Sequence, residues 1–204
     1  MVVRWGFALA AVRAASWVGL LLWVAGCAQL PGFGPAAPAH KLALKAPPER
    51  FNLEGRVSVK TGENSFSGGM AWQHSKLDET LLLSTPLGQG VAELHGVPGS
   101  VSLKDAEGRE YHARDAEALV HQVTGMTLPI KGLAWWVVGH PQPDAAYQAE
   151  ADEMGRLAVL RQADWRIEFS RYALQGAAML PGKLLARRGD DLEIRLVVDT
   201  WTLP

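Results

Sequence analysis

The sequence predicts a mainly β fold: an incomplete antiparallel β-barrel of about eleven strands with a short helical plug. Three observations predict it. Apolar and polar residues alternate with period two over most of 51–204. Clusters of Gly, Asp, Asn and Pro separate the alternating runs at strand-length intervals. The alternation is interrupted once, between Asp115 and Gly139, by apolar residues at helical spacing.

The N-terminal segment stands apart from that fold. Arg4 and Arg13 precede an apolar run from Ala14 to Gly26 that is short for a bilayer span. Residues 1–26 therefore read as a signal peptide removed on export. The run ends in Val24-Ala25-Gly26-Cys27, which resembles the bacterial lipobox. That resemblance implies a diacylglycerol on Cys27, the single Cys of the chain, which becomes the first residue after cleavage. Ala28 follows, where an Asp would mark retention in the inner membrane, so the same resemblance implies onward transport to the outer membrane. Residues 27–50 read as the lipidated Cys and a Pro/Ala-rich linker, with Pro31, Pro35, Pro38, Pro47 and Pro48 keeping it semi-extended. Residues 51–204 form the folded domain.

Phe51, Leu53, Gly55, Val57 and Val59 alternate with polar neighbours as a first strand, and the turn Thr61–Asn64 leads to Phe66, Gly68, Met70 and Trp72 on a second. Leu81 and Leu83, Val91 to Leu94, Val101 with Leu103, and Arg109 to Ala113 supply four more. Asp115 is placed to cap a helix carrying Leu119, Val120 and Val123, and Gly125 to end it. Pro129 opens a second short helix with Leu133, Trp136 and Val137 on one face, stopped at Gly139. Tyr147–Glu150, Leu157–Arg161, Trp165–Phe169, Lys183–Arg187 and Leu192–Trp201 complete the strands. A sheet this long must curl, and helices inserted after the sixth strand are placed over an opening. Alternation leaves open whether the interior is solid or hollow. Phe66, Met70, Trp72, Trp136 and Trp165 are the candidate inward side chains, each more often a core residue than a ligand contact.

Charge and motifs exclude more than they assign. The chain has 20 Lys+Arg and 21 Asp+Glu, and loss of 1–26 removes only Arg4 and Arg13, leaving a net charge of −3. No basic stripe is visible along the sequence, so nucleic acid is not an expected partner. The six His lack metal-pair spacing, and there is no nucleophile elbow or phosphate loop. No metal, cofactor or catalytic residue is expected, and the chain does not read as an enzyme. One loop stands out: Thr85-Pro86-Leu87-Gly88-Gln89-Gly90 sets a single Leu among turn residues. Leu87 either folds back as a plug on the core or tips a lipid-touching finger.

These segments carry a resemblance. Phe51 to Val59, Phe66 to Gln73, Pro86-Leu87-Gly88, Tyr111 to Glu117, Gly125 to Pro129, Leu133 to Gly139, Gln162 to Phe169 and Trp201 are similar, in order and spacing, to the LolB family of outer-membrane lipoprotein receptors. The match spans essentially 51–203. It implies a hydrophobic cavity inside the incomplete barrel, covered by the helices. It implies a lipid-anchored monomer on the periplasmic face of the outer membrane. Such a protein accepts lipoproteins from the periplasmic carrier LolA by their acyl chains and inserts them into the membrane's inner leaflet. It also implies that Pro86, Leu87 and Gly88 form the membrane-insertion loop, and it makes Phe66, Met70, Trp72, Trp136 and Trp165 candidates for the cavity wall. A structural or assembly lipoprotein using the barrel as a docking scaffold is the alternative, and an anchored hydrolase a third class.

Overall fold

A computed structural model describes residues 41–204 apart from Glu63. The expected signal peptide, Cys27 and the linker up to residue 40 lie outside the described residues. Residues 41–50 carry no regular structure, but Ala43 N–H donates to the Gly155 carbonyl at 2.9 Å, which ties this end of the linker to the domain.

Strands β1 (Phe51–Thr61), β2 (Asn64–His74), β3 (Glu79–Ser84), β4 (Gly90–Val97), β5 (Ser100–Asp105) and β6 (Glu110–Ala113) form an antiparallel meander. Helices α1 (Ala116–Thr124) and α2 (Ile130–Trp136) follow. Strands β7 (Tyr147–Ala151), β8 (Leu157–Gln162) and β9 (Trp165–Ser170) come next, then the short pair β10 (Ala173–Gln175) and β11 (Ala178–Leu180). Strands β12 (Lys183–Arg188) and β13 (Leu192–Thr202) end the chain. Eleven strands make one sheet in the order β6-β5-β4-β3-β2-β1-β13-β12-β9-β8-β7, and its two ends, β6 and β7, do not pair. The expected incomplete barrel is therefore present. The β10–β11 hairpin is a separate two-stranded sheet that the sequence reading missed, because strands of three residues show no resolvable alternation.

The register explains the curl. A bulge between Glu54 and Gly55 shifts the pairing of β1 with β13, and a side chain on Gly55 would collide with the Val197 carbonyl. Such bulges raise the local twist and bend a long strand. A second shift, between Leu83 and Ser84, brings the Ser84 carbonyl against Gly68, where a Cβ would have no room.

The helices are placed by local signals and held by packing. Asp115 accepts from the Ala118 N–H at 2.9 Å as the N-cap, and Gly125 closes α1 at φ 70° in the left-handed region. Helix α2 ends at Trp136, three residues before Gly139, because Val137 to Gly139 tighten into a turn. Helix α1 packs against β5 and β6, while Trp136 of α2 meets Trp165 of β9 with ring centroids 5.7 Å apart. The helical pair thus reaches from β5 and β6 to β8 and β9. Inward residues of all strands in the large sheet except β6 and β7 join Leu119, Leu133 and Trp136 in one buried apolar cluster.

Candidate functional site

Strand β3 stops at Ser84, and the chain turns through Thr85 to Gln89 before β4. Three hydrogen bonds fix the turn. Gly88 N–H donates to the Thr85 carbonyl at 2.9 Å, Thr85 N–H to the Gln89 carbonyl at 2.8 Å, and Gln89 N–H to Thr85 Oγ1 at 3.2 Å. Pro86 suits the second turn position through its fixed φ, and Gly88 takes φ 85°. Leu87 lies between them and is 90 % exposed, more than any other large apolar side chain among the described residues. It is not a plug on the core. Leaving a Leu in water forgoes about 2 kcal/mol of burial, so a loop that holds one out rigidly invites an apolar partner.

The structure puts Phe66, Met70, Trp72, Trp136 and Trp165 on the inner face, but not in one kind of setting. Trp72, Trp136 and Trp165 are 1 %, 1 % and 3 % exposed. Trp72 Nε1 donates to Glu79 Oε1 at 2.9 Å, and Phe51 packs edge-on to both Trp72 and Trp201 at 5.7 and 5.6 Å. Trp165 has the Arg188 guanidinium over its ring at 5.2 Å. These three tryptophans are core residues in this conformation. Met70 is also buried, and Phe66 keeps part of its surface open beside Gly68.

Sequence reasoning missed Gln162. It is the one buried polar side chain among the described residues. Its Oε1 accepts from Trp136 Nε1 at 3.0 Å and from Gln142 N–H at 2.9 Å. Its Nε2 donates to the carbonyls of Gln142 at 2.8 Å and Ala145 at 3.1 Å. One amide therefore ties α2 and the segment after it to the end of β8, with its hydrogen-bonding capacity used. The signal was the parity of β8, which turns Gln162 inward with Leu160. Nearby, burial pushes the His140 imidazole below its ordinary pKa. Burial pushes the Tyr172 phenol up, and its O–H donates to the Leu157 carbonyl at 2.7 Å.

Two clefts are open to the surface. One of ≈ 560 Å³ is lined by Tyr147, Gln148, Arg161, Gln162, Asp164 and Arg166 among others. Another of ≈ 480 Å³ runs beneath the Leu87 loop, between Pro86 and Gly88 on one side and Arg56, Ser58 and Arg195 on the other. Among the described residues, no three His, Asp or Glu side chains converge as a metal site requires.

The chain matches the family model described as outer membrane lipoprotein LolB over residues 49–201. It is 38% identical over 193 residues to the outer-membrane lipoprotein LolB of Pseudomonas paraeruginosa, covering 92% of this chain and 93% of that one. The corresponding Pseudomonas fluorescens protein is 38% identical over 151 residues, covering 74% and 73%. A solved structure described as a putative outer membrane lipoprotein-sorting protein domain from Vibrio parahaemolyticus shares the fold. Its TM-score is 0.52 at 8% identity, over 75% of this chain and 84% of that one. Model and relatives agree over nearly the whole folded part, and the chain belongs to the LolB family of outer-membrane lipoproteins.

Proposed function

We propose that this chain localises lipoproteins to the outer membrane as a lipid-anchored receptor on its periplasmic face. It is cleaved before Cys27, acylated there, and acts as a monomer. It takes lipoproteins from the carrier LolA by their acyl chains and passes them to the inner leaflet, with Leu87 entering the bilayer. The observation that carries this reading is Leu87, 90 % exposed on a hydrogen-bonded loop at one end of an apolar-lined open barrel. Acyl chains cost about 0.8 kcal/mol per CH₂ when bared to water. A receiver that binds them about 1.4 kcal/mol better than the carrier gains a tenfold bias without ATP. Because Trp136 and Trp165 are packed together here, cargo enters by displacing α2 from β8 and β9, and the inner face then becomes the acyl site.

Leu87→Glu tests this. The side chain touches no core, so unfolding stays within about 0.5 kcal/mol of the parent. Cargo is still accepted from the carrier, but it fails to insert into liposomes because a carboxylate resists entering hydrocarbon. Normal insertion by this stable variant overturns the proposal.

The packing of Trp72, Trp136 and Trp165 favours a second reading, a docking scaffold with a solid core. The two readings part on binding of the apolar dye N-phenylnaphthylamine: a shielded, saturable site fits the receptor, and no binding fits the scaffold.

A further inference from the structure

The linear sequence shows no basic stripe, but the strand register builds one. Arg161 of β8 lies directly opposite Arg166 of β9, and Arg166 lies directly opposite Arg187 of β12. All three point outward, since Leu160, Gln162, Trp165, Ile167 and Ala186 around them are buried. They remain 46 %, 43 % and 44 % exposed. Like charges directly opposite on adjacent strands are destabilising, and here the arrangement occurs twice in succession. Carboxylates offset part of it. Arg161 bonds Glu150 at 2.6 Å, Arg166 bonds Glu168 at 3.1 Å, and Arg187 bonds Glu193 at 2.9 Å, which also takes Arg195 at 2.9 Å. Four guanidiniums share three carboxylates, and exposed pairs of this kind contribute little.

The place of the ladder gives it a use. Arg161 and Arg187 stand next to the last residues of β8 and β12, and Arg166 next to the first of β9. In an antiparallel sheet of this order, those strand ends lie at the same end of the barrel as the β3–β4 loop that carries Leu87. The ladder also joins the two clefts. Arg161 and Arg166 line the first, while Arg195, bonded through Glu193 to Arg187, lines the second beside Pro86 and Gly88. With residues 1–26 removed the protein has a net charge of −3, so an anionic surface repels it unless a basic face is presented first.

We propose that the Arg161–Arg166–Arg187 ladder, with the clefts at its ends, docks on the phosphate headgroups of an anionic bilayer and so turns the Leu87 end toward the membrane. This rests on the reading of Leu87 as the bilayer contact and adds the surface that orients it. Guanidinium groups suit the task because they hold phosphate through paired N–H donors.

The test uses the chain from residue 27 onward with Cys27→Ala, so that neither acylation nor the apolar run Ala14–Gly26 holds it to lipid. Its binding is measured by flotation on phosphatidylcholine vesicles with and without phosphatidylglycerol, at low salt. The unsubstituted ladder is expected to prefer the anionic vesicles. R161Q/R166Q/R187Q is expected to lose that preference by roughly a hundredfold in partitioning, about 1 kcal/mol for each arginine. R161K/R166K/R187K keeps the charge and retains most of it, which separates loss of the surface from loss of the fold. Anionic binding by the Gln variant equal to the parent overturns the proposal. So does a Gln variant that floats normally yet no longer takes cargo from the carrier, since the ladder is then a protein-docking face. Failure of the underlying reading shows separately, as normal cargo insertion by Leu87→Glu while the anionic preference persists.

Discussion

Gln162→Leu removes the amide that holds α2 to the sheet while keeping a side chain of similar volume. Four groups lose their partner: Trp136 Nε1–H, Gln142 N–H and the carbonyls of Gln142 and Ala145. The Gln142 N–H and the two carbonyls belong to half-buried residues, where water can replace the amide. The Trp136 indole is 1 % exposed and has no such recourse. An unsatisfied buried donor costs about 1–3 kcal/mol, and with the water-replaceable bonds weakened besides, the loss is about 1–3 kcal/mol. That is a large part of an ordinary domain's stability of about 5–15 kcal/mol. Urea unfolding gives the loss, and hydrogen exchange at the Gln142 amide shows whether the segment opens locally first. A change below about 0.5 kcal/mol with unaltered exchange at Gln142 refutes the reasoning, since it means the bonds are not holding the helix.

Cys27→Ser removes the thiol expected to carry lipid. The parent, extracted from membranes, is expected to show by mass spectrometry an acylated Cys27 as its first residue, whereas an intact N-terminus with an unmodified thiol contradicts the lipobox reading. Asp115→Ala strips the N-cap of α1 and its ion pair with Lys131, and is expected to cost about 1 kcal/mol in thermal or urea unfolding. The Lys131 ammonium and the Ala118 N–H hold the Asp115 carboxyl below the usual carboxylate range. The stabilisation is therefore full above the unfolded value of about 3.9 and is lost as pH falls toward the lower folded value. The gap between parent and Asp115→Ala, followed from neutral to acid pH, must shrink in that direction.

Much of the fold was legible because a strand's faces are a matter of parity. Once Phe66, Met70 and Trp72 alternate with Ser67, Gly69 and Ala71, one set must face inward, and the structure shows which. The caps were legible for a similar reason, since Asp115 and Gly125 act on neighbours within a few residues. What could not be read depends on partners far along the chain. Gln162 was missed because what buries it lies elsewhere: its partner Trp136 comes from helix α2, 26 residues earlier in the chain. The arginine ladder exists only in register, because Arg161, Arg166 and Arg187 sit on three different strands. Leu87 was undecided between plug and finger until the hydrogen bonds of Thr85 and Gly88 fixed the direction of the loop.

The interior holds two aromatic groups, and their supports differ enough to predict which one yields to the cargo proposed above. Trp72 sits with Phe51 and Trp201 on β1, β2 and β13, each eleven residues long, and β1 pairs with β2 and β13 over nearly its full length. Opening there breaks a long run of ladder hydrogen bonds at the middle of the sheet. Trp136 and Trp165 meet where a seven-residue helix lies against a six-residue strand, and few bonds besides those of Gln162 cross that contact. Regions with few such constraints open at lower free energy. On the proposed function, acyl chains are expected to enter between α2 and strands β8 and β9, leaving the Trp72 group in place. Two variants report on this: Trp72→Phe with Trp201→Phe leaves tryptophan only on α2 and β9 in the folded part, and Trp135→Phe, Trp136→Phe and Trp165→Phe together leave it only on the Trp72 side. Addition of N-phenylnaphthylamine is expected to shift and quench the emission of the first variant and to leave the second nearly unchanged. The reverse pattern places the entry at the long strands and removes α2 and Gln162 from the path of the cargo.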